Sequence, residues 1–223
     1  AQYSEVDPVA VEGSRIPYGI PTVRVRYANA HLGVPLGFWR SVGHSHTAFA
    51  VEAFLDELAR AGGQDPVELR RRLLKDAPRH LGVLELAAEK AGWGAPLAEG
   101  RARGVAVHES FGSWVAQIAE VSLEDGAPRV HRVVAAVDVG WVVHPDTLAA
   151  QIEGGIVFGL TAALKSEITL EKGRVVQSNF HDYPILRLDE TPEIEVHVGP
   201  SDEDPGGVGE IGVPSQAAEA KSA

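Results

Sequence analysis

Val130-His131-Arg132-Val133-Val134-Ala135-Ala136-Val137-Asp138-Val139 is rich in β-branched residues and reads as a strand. Just upstream, Glu124-Asp125-Gly126 is a hairpin signal. Before it, Val105, Val107, Ala116, Ile118, Ala119 and Val121 recur at period two and suggest two more strands. Downstream, Pro145-Asp146 opens a helix over 147–164, with Leu148, Ile152, Ile156, Leu160 and Leu164 at helical spacing. Glu171-Lys172-Gly173 marks another hairpin, and alternation returns over 193–198. Residues 199–216 form a loop rich in glycine and proline.

Helices precede this strand-rich body. One begins near His46, with Phe49, Ala53, Phe54, Leu58 and Ala61 predicted as its apolar face and Gly62-Gly63 as its stop. Asp65-Pro66-Val67-Glu68 starts a second: Asp65 can cap, Pro66 suits the first helical position and Glu68 can close a capping box. A third fits 80–91. Near the start, Thr22-Val23-Arg24-Val25-Arg26-Tyr27 alternates like a strand. Helices followed by a strand–helix–strand body with hairpins imply an α+β fold, with mixed or antiparallel strands and packed helices. A break near 95–103 allows lobes at 1–100 and 101–223.

Hydrophobic residues at 44% permit a core, and net charge −11, from 31 acidic and 20 basic side chains, leaves no basic face for nucleic acid. No apolar run reads as a membrane span, and no signal peptide or other address indicates a cytoplasmic or periplasmic location. Cysteine is absent, which removes disulfides, thiolate nucleophiles and cysteine-ligated iron–sulfur clusters from this chain. Methionine is absent too, even at position 1, and the sequence closes just after a loop. Both features read as an excised or processed piece of a longer polypeptide.

Three stretches could carry chemistry. In Pro205-Gly206-Gly207-Val208-Gly209-Glu210-Ile211-Gly212-Val213-Pro214, clustered glycines allow close backbone approach just before a carboxylate. On composition alone the commoner reading is a surface turn; it is neither a P-loop nor a GxGxxG turn. Gly37-Phe38-Trp39-Arg40-Ser41-Val42-Gly43 places an arginine, with its planar fork of donors, among aromatics, and reads equally as an aromatic anchor under an exposed arginine. In Gln151-Ile152-Glu153-Gly154-Gly155-Ile156-Val157-Phe158-Gly159, helical glycines ask for something to approach closely, a neighbouring helix being the usual partner. His44 and His46 lack a third ligand nearby, so capping or a polar pocket suits them better than a metal.

Taken in order, GFWRSVGHSHTAFAVEAFLDELA, DPVELRRRLL, RGVAVHESFGSWVAQIAEVS, VVAAVDVGWVVHPDTLAAQIEGGIVFGL, SNFHDYPILR and PGGVGEIGVP resemble the large subunit of isoquinoline 1-oxidoreductase-type molybdenum hydroxylases, in the xanthine dehydrogenase and aldehyde oxidase superfamily. The resemblance runs from about Gly13 to Pro214 and implies that 1–223 is the C-terminal part of the cofactor-binding subunit. It implies molybdopterin with molybdenum, in the cytosine dinucleotide form, and hydroxylation of an N-heterocycle or aldehyde carbon with oxygen from water. Glu210 matches the base, acting on a hydroxyl that the metal acidifies. Gly37, Phe38, Trp39, Arg40, Gly207 and Gly209 match cofactor contacts, Ser41 and Val42 face substrate, and no residue ligates the metal directly. Gln151 matches a family segment without an assignable contact. The family's N-terminal cofactor loops are not found, so the remainder of the large subunit and an iron–sulfur small subunit are implied as partners. The competing readings are a non-catalytic paralogue and an assembly or binding module that keep the scaffold; Arg40 and Glu210 argue against both.

Overall fold

The computed structural model describes residues 7–30, 33 and 37–215; expectations about the last eight residues lie outside the described residues. Helices α1 (His44–Ala61), α2 (Pro66–Leu73) and α3 (Pro78–Lys90) precede strands β1 (Arg101–Ser110), β2 (Ser113–Glu124) and β3 (Ala127–Asp138). Helix α4 (Pro145–Leu164), a small hairpin of β4 (Leu170–Glu171) and β5 (Arg174–Val175), and strand β6 (Glu193–Val198) follow. The main sheet has the order β1-β2-β3-β6; β1, β2 and β3 pair antiparallel, and β6 joins β3 in parallel. This is the mixed α+β architecture that the order of elements implies.

The sheet is a middle layer. On one face Val105, Val107, Ala116, Ile118, Val134 and Ala136 pack with α1, α2 and α3. On the other, Val115, Ala119, Val133, Ala135 and Val137 pack with Leu148, Ile152, Ile156 and Leu160 of α4. Both faces are covered, which is why the central strand reads as a continuous apolar run rather than an alternating one. By length and composition α4 would also qualify as a membrane span, contrary to the sequence reading. Its apolar stripe is instead taken up by the sheet.

Asp65 caps α2 through bonds from the Val67 and Glu68 amides, but Glu68 pairs with Arg71 rather than closing a box. Two other expectations fail. Residues 22–27 form no strand, and Val23 and Val25 lie exposed. Alternation needs an edge to pair with, and at the edge strand β1 the Val107 amide donates instead to Glu52 of α1 (2.8 Å). Helix α1 begins at His44, two residues early, and its predicted apolar face is turned: Phe54 and Leu58 are exposed, while Glu52 and Asp56 are buried. The reason is Arg70 of α2, fully buried, which bonds Glu52 (Nε–Oε2 3.0 Å), Asp56 and the Glu52 carbonyl (3.0 Å). The Tyr18 hydroxyl donates to the other Glu52 oxygen (2.7 Å). Burial pushes the Glu52 carboxyl up despite the guanidinium beside it.

Candidate active site

The loop at 206–213 is built by close backbone contact. The Gly206 amide donates to the Val139 carbonyl (2.9 Å) and the Gly207 amide to the Phe111 carbonyl (2.8 Å), tying the loop to the end of β3 and the β1–β2 turn. A Cβ at Gly207 would meet the Phe111 Cβ at 2.9 Å, and one at Gly206 would strike Gly112 and Ser113. A Cβ at Gly155 would meet the Gly212 Cα at 3.1 Å. The chain therefore uses glycines 206, 207, 212 and 155 to pack against itself, and the partner of the α4 glycine face is this loop, not another helix. Gly37 and Gly209 differ in what a Cβ would meet: Gly37 has open space there, and Gly209 meets only the Gln151 amide nitrogen, at 3.7 Å.

Side chains from the turn before α1 and from α4 converge on the loop's outer end. Arg40, before α1, donates through Nε (2.9 Å) and Nη2 (2.5 Å) to the Gly209 carbonyl. Gln151 of α4 donates to the same oxygen (3.0 Å). The Ser41 hydroxyl donates to the Glu210 carbonyl (2.7 Å), which also accepts from the Val213 amide (3.0 Å). Deeper, the Gln117 amide reaches the Gly212 carbonyl (3.2 Å). The Phe158 ring stacks on Trp39 (centroids 4.7 Å) and lies 5.7 Å from the Arg40 guanidinium.

Making these contacts forces the backbone: Ser41 (φ 78°) and Val42 (φ 48°) are left-handed, a region that strains β-branched valine most. The turn is pinned by His44, whose Nδ1 sits 2.8 Å from Nε2 of His108 on β1, with the Phe111 ring 5.2 Å away. Burial holds both imidazoles below their ordinary value, His108 down to about 3, so this pair shares a proton without charge at neutral pH. His46 instead faces the Ala10 carbonyl (3.1 Å).

The structure thus brings together Trp39, Arg40, Ser41, Gly209 and the half-buried Glu210, from opposite ends of the sequence. Phe38 stands apart, 84% exposed, and Ser41 is fully buried with its hydroxyl committed to the loop, leaving Val42 as the partly open wall. Sequence reasoning missed the Gln151 contact; the available signal was its position one turn before Gly155 on the face the loop must approach. Two fully buried hydroxyls, Ser110 and Ser113, have no hydrogen-bond partner among the described residues, and Ser113 lies against Gly206.

A family model for the molybdopterin cofactor-binding domain matches residues 82–192. The beta subunit of isoquinoline 1-oxidoreductase from Brevundimonas diminuta is 35% identical over 216 residues, 95% of this chain and 28% of that protein. A nicotinate dehydrogenase subunit from Pseudomonas putida is 35% identical over 223 residues, 91% of this chain and 19% of that protein. The chain therefore spans less than a third of the length of these relatives. Quinoline 2-oxidoreductase from Pseudomonas putida 86 shares the fold with a TM-score of 0.74, over 85% of this chain and 50% of that chain, at 14% identity.

Proposed function

We propose, for a chain that belongs to the molybdopterin cofactor-binding domain family of the molybdenum hydroxylases, that Glu210 is the base in hydroxylation of a small electron-poor molecule, an N-heterocycle or an aldehyde. The observation that carries this is the effort spent on one carboxylate. Arg40, Ser41 and Gln151 hold the peptide groups on either side of Glu210, at the cost of two strained residues, and a solvated surface turn needs none of that.

The residues present fit the cofactor. The exposed backbone at Gly37 and Gly209 leaves room for a flat ligand to approach, Arg40 bonds the loop through Nε and Nη2 and so leaves Nη1 for a ligand, and the unpartnered Ser110 and Ser113 hydroxyls offer polar groups below the loop. Arg40, Trp39 and the backbone of 207–209 would hold it, in the cytosine dinucleotide form. Molybdenum, when bound, supplies the Lewis acid and the two-electron acceptor, with oxygen drawn from water. The chain's own part is to hold Glu210 where its carboxylate can take the proton lost by that water. These 223 residues have no cysteine to ligate a cluster, so the electron relay lies outside them, in this reading on an iron–sulfur partner subunit. In this reading 1–223 is the C-terminal part of the large subunit, and the remainder completes the cofactor and substrate pockets.

The test is Glu210→Gln in the complete enzyme. Molybdenum content should be unchanged and turnover of isoquinoline, nicotinate or an aldehyde should fall by about 10²–10⁴, the usual contribution of a general base. Turnover near that of the parent would overturn the assignment.

A further inference from the structure

The geometry points to Gln151 as a positioning residue that, together with Arg40, sets the direction of the Glu210 carboxylate; the inference rests on Glu210 being the base. A carbonyl oxygen has two lone pairs, yet the Gly209 carbonyl receives three N–H groups: two from Arg40 at 2.9 and 2.5 Å, and one from Gln151 at 3.0 Å. The donors come from different elements, the turn before α1 and the second turn of α4, so the Gly209–Glu210 peptide is gripped from both sides. The peptide is trans, so its N–H points away from that grip. The Glu210 amide has no acceptor among the described residues.

On the other side of the Glu210 Cα, the next carbonyl is held by the Ser41 hydroxyl (2.7 Å) and the Val213 amide (3.0 Å). With both flanking peptide planes fixed, the Cα–Cβ bond has one direction and only the side-chain torsions stay free. A segment with this much glycine has a large ordering entropy of its own, so these outside donors must impose the direction. The face of α4 is arranged for the task. Gln151, Gly155 and Phe158 fall on one stripe at i, i+4 and i+7. The first grips the Gly209 carbonyl, the second admits Gly212, and the third backs the Arg40 guanidinium.

The experiment uses the complete enzyme with Gln151→Leu and Gln151→Glu, read by hydrogen exchange of a peptide covering 206–213 and by steady-state kinetics. Gln151→Leu should speed exchange in that peptide about fivefold to tenfold, the weight of one hydrogen bond. It should lower kcat about tenfold, with KM within about twofold and molybdenum content unchanged. Gln151→Glu puts a carboxylate against the Gly209 carbonyl and beside the Arg40 guanidinium on the same oxygen, so at neutral pH it both removes a donor and draws Arg40 off the loop, and should match or exceed the leucine defect. On acidification its protonated carboxyl regains an O–H donor, and its exchange, compared with the parent at the same pH, should return towards normal. A purely structural loss would show no such rescue. Parent-like exchange and kcat in Gln151→Leu, or a Gln151→Glu defect that acid does not relieve, would overturn the inference. If exchange responds as expected while Glu210→Gln retains turnover, the loop is positioned by Gln151 but the base assignment is what fails.

Discussion

Replacing Arg70 with methionine would remove the central cation from a buried acidic cluster while keeping most of its volume. Arg70 is fully buried, and Glu52 and Asp56 are 1% and 5% exposed. The guanidinium bonds both carboxylates and the Glu52 carbonyl, while Tyr18 and the Val107 amide complete Glu52. Breaking such a triad from one side leaves uncompensated buried charge and costs about 3–5 kcal/mol. In a domain of this size that corresponds to a fall of about 6–20 °C in Tm. The sign with pH follows from burial, which already pushes the Glu52 carboxyl up. Without Arg70 its folded-state pKa rises further above the unfolded value, so the defect is largest at neutral pH and shrinks as acid protonates Glu52. Thermal unfolding followed by circular dichroism at pH 7 and pH 5 measures it, and Glu52→Gln added to Arg70→Met should restore part of the loss. A single variant within about 1 kcal/mol of the parent at pH 7, or a defect identical at both pH values, would refute the reasoning.

Adjacent glycines on α4 offer an internal control. Gly154 has open space beyond its Cα, so Gly154→Ala should stabilise by about 1 kcal/mol through helix propensity. Gly155→Ala gains the same propensity but presses its Cβ onto Gly212 at 3.1 Å, so it should lose stability net and reduce turnover by displacing the Glu210 loop; equal Tm shifts in the two variants would contradict the packing. Burial takes His108 down to about 3 from 6.5, so the unfolded chain binds more protons across the window between those values and stability falls as pH falls through it. From pH 7 to pH 5 this histidine should account for about 2 kcal/mol, and His108→Leu should flatten that slope in denaturant titrations.

Elements whose cause lies within a few residues are legible in the sequence itself. The caps and breaks around Asp65 and Gly62, the hairpins at Asp125-Gly126 and Lys172-Gly173, and the apolar stripe of α4 depend on local backbone freedom and periodicity, and they stand where the pattern puts them. The glycine-rich run before Glu210, together with Arg40, is likewise visible as a candidate site. What each glycine meets is not: Gly206 and Gly207 are filled by the chain itself and Gly209 faces outward, a difference set by the β1–β2 turn nearly a hundred positions away. The same limit explains α1, where Phe54 and Leu58 form an apolar stripe in sequence yet lie outside, because a single buried arginine on the next helix draws Glu52 and Asp56 inward. It also explains Thr22–Tyr27, a strand by pattern with no partner edge, and β6, whose parallel register beside β3 follows from the route of the chain around α4. Sequence by itself determined which residues could turn, cap or alternate. Tertiary structure decided which of them met, because hydrogen bonds such as Gln151 to the Gly209 carbonyl join positions that share no local pattern and acquire a common place only when the core closes.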